Sequence, residues 1–401
     1  MNPKRLLAIC FIVGCTTLAW FLLGGTLQYR SSETDGRLGS EVVKNWGPLL
    51  IQEHPSLFYE APTVGNARRE IQPEKSDIFV TLTYDPKQKG LLWYRTYKAE
   101  FSGKYSVKNP TPIPQTIYAS FKFPAADARY DAFSLQFGEK VTDKAPVNGE
   151  IRESLLLAPG AEVPLTVTYR ATGRNQWVYS LKSAKRLKNL HLSMITNFTE
   201  INIPAFAESP TSRTATADGR TLQWDYTDVI GANAIAMDMP AVTNPGQVAG
   251  RMTFFAPVSL LFFFAVLVII GIREGTGLHP MNYFFLAAGC FAFQLLFAYL
   301  VDLLPLTLSF LIAAAVSLVL VNGYLWRATT GKFAAISAVA QFAYMVLFSY
   351  SFFFEGLTGI TLTVGAIVTL ALLMGFTARI KWDAAFTSRP ASPPPVPTSA
   401  A

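Results

Sequence analysis

The chain has 401 residues, 51% of them hydrophobic and 15% charged, and its mean hydropathy is +0.28. That is more apolar side chain than a water-soluble core needs, which argues against an ordinary soluble globular protein. The net charge of +7 does not require a nucleic-acid partner, and none is expected, because Lys and Arg beside apolar runs are what membrane insertion itself selects.

The first apolar run, Leu6 to Gly25, is long enough to cross a hydrocarbon core of about 30 Å. Ile12-Val13-Gly14-Cys15 loosely resembles a bacterial lipidation box, but the run continues through Trp20 and Leu23. Residues 1–25 therefore read as an uncleaved transmembrane anchor. Cys10, Cys15 and Cys290 all lie in apolar runs, so the polar region from 26 to 250 must be stabilised by its own core, without disulfides.

Within 26–250 the hydrophobic period is two: Ile78, Val80, Leu82 and Tyr84 share one face, as do Val163, Leu165, Val167 and Tyr169. Further strands are expected over Trp93 to Tyr105, Ile117 to Phe123, Phe133 to Phe137, Trp177 to Leu181, Leu190 to Thr196, Leu222 to Tyr226 and Ile235 to Met239. Turn chemistry separates them, as at Asp85-Pro86, Asn109-Pro110 and Asp218-Gly219. Many short strands without a strong helix predict a β-rich domain, a sandwich or related antiparallel fold. The densest positive charge, Lys182 to Lys188, is expected to be a solvated hairpin turn.

Five more apolar runs follow: Thr253 to Ile272, Met281 to Val301, Leu306 to Trp326, Phe333 to Phe353 and Leu357 to Ala378. Residues 251–383 thus read as a five-helix transmembrane bundle, and 384–401, rich in Pro, Ser, Thr and Ala, as a disordered cytoplasmic tail. The fold class is an α+β membrane protein with six transmembrane helices and a β-rich extracytoplasmic domain between the first and second. Orientation follows from the short loops. Lys4, Arg5, Arg273, Arg327, Lys332, Arg379 and Lys381 fall on one side, and the acidic Asp302 and Glu355 on the other. Both termini are then cytoplasmic.

A search for catalytic chemistry finds only His54, His191 and His279, no HExxH, no GxSxG and no phosphate loop. No catalytic, cofactor-binding or metal-ligating residue is assigned, no cofactor is expected, and the chain reads as a non-enzyme. The polar residues in or beside the spans are Gln294, Asn322 and Gln341, whose amides suit interhelical hydrogen bonds, and His279, Asp302 and Glu355 at span ends. The last three are the functional candidates.

Leu278-His279-Pro280-Met281-Asn282-Tyr283-Phe284-Phe285-Leu286, followed by Ala298-Tyr299-Leu300-Val301-Asp302, resembles the membrane half of the inner-membrane CreD family. Ser349 to Gly359 and Thr377 to Asp383 resemble the family's last spans, and Lys89 to Tyr94 and Asn197 to Pro204 resemble pieces of its periplasmic domain. The likeness runs from about Ser76 to Asp383. It implies a multi-pass protein of the bacterial inner membrane, tied to cell-envelope integrity, stress response and colicin tolerance, with no enzymatic activity. On that reading the lipid bilayer is one partner and an envelope component touching the β domain another. The alternative is a small-molecule or ion transporter using the helix bundle, whose water-filled path would be lined by Gln294, Asn322 and Gln341.

Overall fold

The computed structural model describes residues 3–61, 67–90, 92–184, 186–275, 278–354 and 358–378. They form two compact units, Met1–Thr34 with Thr243–Ala401, and Asp35–Val242.

The second unit carries, in chain order, β1 (Leu50–Glu53), β2 (Ser56–Glu60), β3 (Arg68–Ile71), β4 (Lys75–Tyr84), β5 (Lys87–Lys89), β6 (Leu92–Tyr94), β7 (Thr96–Lys108), β8 (Gln115–Lys122) and β9 (Tyr130–Phe137). It continues with β10 (Lys140–Val141), β11 (Glu150–Leu157), β12 (Glu162–Arg174), β13 (Gln176–Ser180), β14 (Arg186–Thr196), β15 (Ser212–Ala215), β16 (Arg220–Ile230) and β17 (Ala234–Asp238). An eight-stranded sheet runs β10-β9-β12-β7-β4-β14-β16-β15. Sheets β11-β8-β2-β3 and β1-β13-β17 share one buried core with it.

The period-two pattern explains this layering. On β4, Ile78, Val80 and Leu82 are buried while Phe79 is exposed, so one face of the large sheet turns inward. Aromatic rings bridge the layers: Phe121 of β8 lies 6.3 Å from Tyr169 of β12, and Phe101 of β7 lies 6.2 Å from Tyr179 of β13. Fully buried Trp177 and Trp224 fill the same core, and truncating either to Ala would cost about 3–5 kcal/mol.

Three features depart from the sequence reading. The pairs β4·β14 and β1·β13 are parallel, so the domain is mixed and not wholly antiparallel. The expected strand from Trp93 to Tyr105 is broken, with β6 ending at Tyr94 and β7 beginning at Thr96; β6 pairs with β5 while β7 joins the large sheet. The basic run Lys182 to Lys188 is not a hairpin, because β13 and β14 belong to different sheets. Among its described residues, Arg186 pairs with Asp228, and Lys188 lies 3.2 Å from Glu74. Lys185 is outside the described residues.

The first helix, α1, runs from Pro3 to Trp46, well beyond the apolar run that ends at Gly25. Its residues from Asp35 onward belong to the β unit, where Val42 packs on Leu92 and Tyr94 and Glu41 meets Lys89 at 2.5 Å. Hydropathy marks where lipid-compatible side chains end, not where helical hydrogen bonding ends.

The helical unit adds α2 (Pro245–Arg273), α3 (Pro280–Leu300), α4 (Leu306–Ala328), α5 (Gly331–Gln341), α6 (Phe348–Tyr350) and α7 (Thr358–Thr377). A π-helical turn, Phe342–Leu347, joins α5 to α6, and a 3₁₀ turn extends α6 to Phe353. Trp20, Leu260, Phe263, Leu286, Phe293, Phe310 and Val321 form its shared core. Leu7, Phe11, Leu22, Leu311, Val319 and Val339 are exposed, the apolar surface that a hydrocarbon phase would cover. Among the described residues, five helical segments are long and apolar enough to cross a membrane: Lys4–Trp46, Pro245–Arg273, Pro280–Leu300, Leu306–Ala328 and Gly331–Phe353. The sixth expected span coincides with α7, whose apolar stretch Leu362–Gly375 is shorter. The Pro-rich tail lies outside the described residues.

Candidate functional site

The sequence candidates do not converge. His279 is the N-cap of α3: its Nδ1 accepts a hydrogen bond from the Met281 amide at 3.2 Å, and Pro280 starts the helix where no donor is needed. Asp302 lies at the other end of α3, which at 21 residues is roughly 30 Å long. Glu355 is outside the described residues.

Asp302 has a partner the sequence did not suggest. Arg30 of α1 donates to its Oδ2 at 2.7 Å, and the same guanidinium stands 6.0 Å from the Tyr299 ring. Both side chains are partly exposed, so the pair is worth less than about 1 kcal/mol to stability. Two further contacts tie the opposite end of the bundle: Lys332 to Glu274 at 3.1 Å and the Tyr324 hydroxyl to Asn282 at 2.9 Å. Arg273, Arg327 and Lys332 therefore gather at one end of the helical unit, and Asp302 with Arg30 at the other.

Between these ends the bundle holds a chain of neutral polar groups. Asn322 of α4 donates to the Gln341 side-chain oxygen at 2.9 Å. Gln341 donates to the Ser317 carbonyl at 3.2 Å, and the Ser317 hydroxyl donates to the Gly289 carbonyl at 2.9 Å. The chain joins α3, α4 and α5, and Gln341 sits immediately before the π-helical turn. Gln294 approaches Ser349 only at 3.5 Å, and its oxygen, like that of Asn322, has no hydrogen-bond partner among the described residues. Amides and hydroxyls of this kind stitch helices together where lipid offers no alternative partner, at about 0.6 kcal/mol each. They supply neither a nucleophile–base pair nor a charge near the helix midpoints.

The β unit contains buried ionisable groups that the sequence reading passed over. His54, 3% exposed, lies 2.9 Å from the Tyr179 hydroxyl, which in turn lies 2.9 Å from that of Tyr105. Its Nε2 has no partner among the described residues. Burial holds the imidazole neutral and pushes its pKa down to about 3. Glu153 on β11 is fully buried. Burial alone would raise its pKa, but hydrogen bonds from Lys140, Thr142 and Lys144 overcome that and hold it at about 2. Among the described residues, no group of three or more His, Cys, Asp or Glu could hold a metal ion.

Residues 207–383 match the family model described as inner membrane protein CreD. Over that stretch the chain is CreD-like. The match spans β15 to β17 and every helix from α2 to α7, and it includes His279, Asp302 and the resembling stretches from Leu278 to Asp302 and from Ser349 to Asp383. The coarse assignment, an inner-membrane protein with several apolar helices, rests on CreD and on those helices. Residues 76–206, also part of the resemblance, lie outside the matched stretch. A structure from Legionella pneumophila, provisionally named a nutrient binding protein, shares 14% identity over 50% of this chain and 73% of its own, with a TM-score of 0.33. At that score the likeness carries no argument. No curated protein matches the chain.

Proposed function

We propose that the chain is a non-enzymatic inner-membrane protein that supports cell-envelope integrity and tolerance of envelope stress, including colicins. The β unit faces the extracytoplasmic side and contacts an envelope component, while six helices anchor it and both termini lie in the cytoplasm. The observation that carries the reading is the CreD match across the helical unit. The sorting of charge supports its orientation: Arg273, Arg327 and Lys332 collect at one end, and short basic loops resist translocation.

Deleting the gene should sensitise cells to colicins and detergent, and the intact gene supplied in trans should restore tolerance. Unchanged tolerance in the deletion strain would contradict the proposal. Asp302→Asn separates coupling from scaffolding. Loss of a partly exposed ion pair costs less than about 1 kcal/mol, so protein abundance should stay at the wild-type level while tolerance falls. Abundance and tolerance falling together would assign Asp302 to structure alone.

A further inference from the structure

A cleft of about 670 Å³ opens on the β unit, walled by the last turn of α1, the connection between β8 and β9, and the exposed faces of β7, β9 and β12. Its volume falls in the range of small-ligand sites, 300–1,000 Å³. Charges of both signs line it. Lys44 comes from α1, Asp127 and Arg129 from the connection, and Asp131, Arg170 and Glu100 from the strands. Asp131, Arg170 and Glu100 are in register across β9, β12 and β7, and Arg170 meets Glu100 at 3.1 Å. Asp127, Arg129 and Asp131, by contrast, form no ion pair with one another or with any other described residue.

These free charges are carried on backbone that is locally fixed. The Tyr130 hydroxyl accepts from the Ala125 amide and donates to the Ala125 carbonyl, both at 2.8 Å, which closes the connection bearing Asp127 and Arg129. Beside Asp131 the ladder slips, with Thr168 opposite Ser134 but Arg170 opposite Asp131. The bulge on β9 includes Ala132 at φ +49°, a left-handed conformation that is strained for a residue with a Cβ. Such bulges re-aim neighbouring side chains. Gly47 follows the last residue of α1, and its backbone comes so close to β12 that a Cβ there would stand 2.0 Å from the Thr172 carbonyl oxygen.

We infer that this cleft binds a small zwitterion, a free short peptide or amino-acid-like compound. Its carboxylate would meet Arg129 and Lys44, and its ammonium group would meet Asp127 and Asp131. Opposite charges held apart on a pre-set frame fit a ligand carrying both signs better than a purely anionic or cationic one, since either of those would leave one set facing a like charge. The site concerns the β unit alone and holds whichever side of a membrane that unit occupies.

Equilibrium dialysis of the full-length protein in detergent micelles against a randomised tripeptide pool with free termini tests it. The protein should retain the free pool, and retention should fall at least about fivefold, worth roughly 1 kcal/mol, for the N-acetylated and for the C-amidated pool. Arg129→Gln and Asp131→Asn should each cause a similar fall with an unchanged melting temperature, because both side chains are exposed. No retention of the free pool, or equal retention of the capped pools or by the variants, would overturn the inference.

Discussion

Between pH 7 and pH 4.5 the β unit should lose roughly 2–3 kcal/mol of stability through His54 alone. The folded imidazole has its pKa pushed down to about 3 by burial, whereas in the unfolded chain it returns to about 6.5. The lowered value means that the unfolded state takes up the proton first. The contribution is therefore fully present above pH 6.5, erodes as the pH falls below it, and continues to erode toward pH 3. At pH 4.5 the two-unit gap corresponds to the figure given, at 1.36 kcal/mol per unit, or about 5–10 °C in melting temperature for a domain near this size. His54→Phe removes the titrating group from between Tyr105 and Tyr179. Its melting temperature should be nearly flat from pH 7 to pH 5 while the wild-type value falls. Glu153 adds a second limb at lower pH, since its depressed pKa is a source of stability present above about 4.5 and lost toward 2. Parallel melting profiles for wild type and His54→Phe would show that His54 is not buried as described.

Gly47→Ala should destabilise the β unit by about 3 kcal/mol, far more than Gly160→Ala. Both glycines have positive φ, +94° and +68°, so each substitution incurs a left-handed penalty of roughly 1–2 kcal/mol. Only at Gly47 does the new Cβ meet backbone, 2.0 Å from the Thr172 carbonyl oxygen; at Gly160 nothing lies within 4 Å. Relieving the clash means moving the end of α1 away from β12, which adds the cost of overpacking, typically 1–3 kcal/mol. Thermal melts of the two variants side by side isolate that extra cost, and equal melting temperatures would contradict the close approach.

Much of the β unit was legible because alternation reports burial directly. The readings at Ile78 to Tyr84 and Val163 to Tyr169 fall within β4 and β12. β11 was not legible: its inward positions include Glu153, and a buried carboxylate breaks the apolar pattern that signals a strand. Lys140, Thr142 and Lys144, brought in from β10 and the segment after it, offset the cost of that burial. The parallel pairing of β4 with β14 joins residues more than a hundred positions apart, and no local pattern encodes it. The helices were readable as apolar runs, but α1 beyond Gly25 was not, because its polar stretch continues the helix without continuing the hydropathy. The site candidates split in the same way. His279 beside Pro280 reads as a cap from its neighbours, whereas the partner of Asp302 is Arg30, 272 positions away, set by how α1 packs against α3.

The most direct test of the account as a whole is the sidedness of the chain, mapped with alkaline phosphatase fusions in a bacterial host. Fusions after Gly250 and near Glu355 should be active, because the proposed orientation puts those points outside the cytoplasm. Fusions near Thr330 and after Asp383 should be silent, because the proposed orientation keeps them in the cytoplasm, where the enzyme cannot form its disulfides. Activity at Thr330 or Asp383 with silence at Gly250 would contradict the orientation. It would also place the β unit, with its cleft and its buried His54, on the cytoplasmic side.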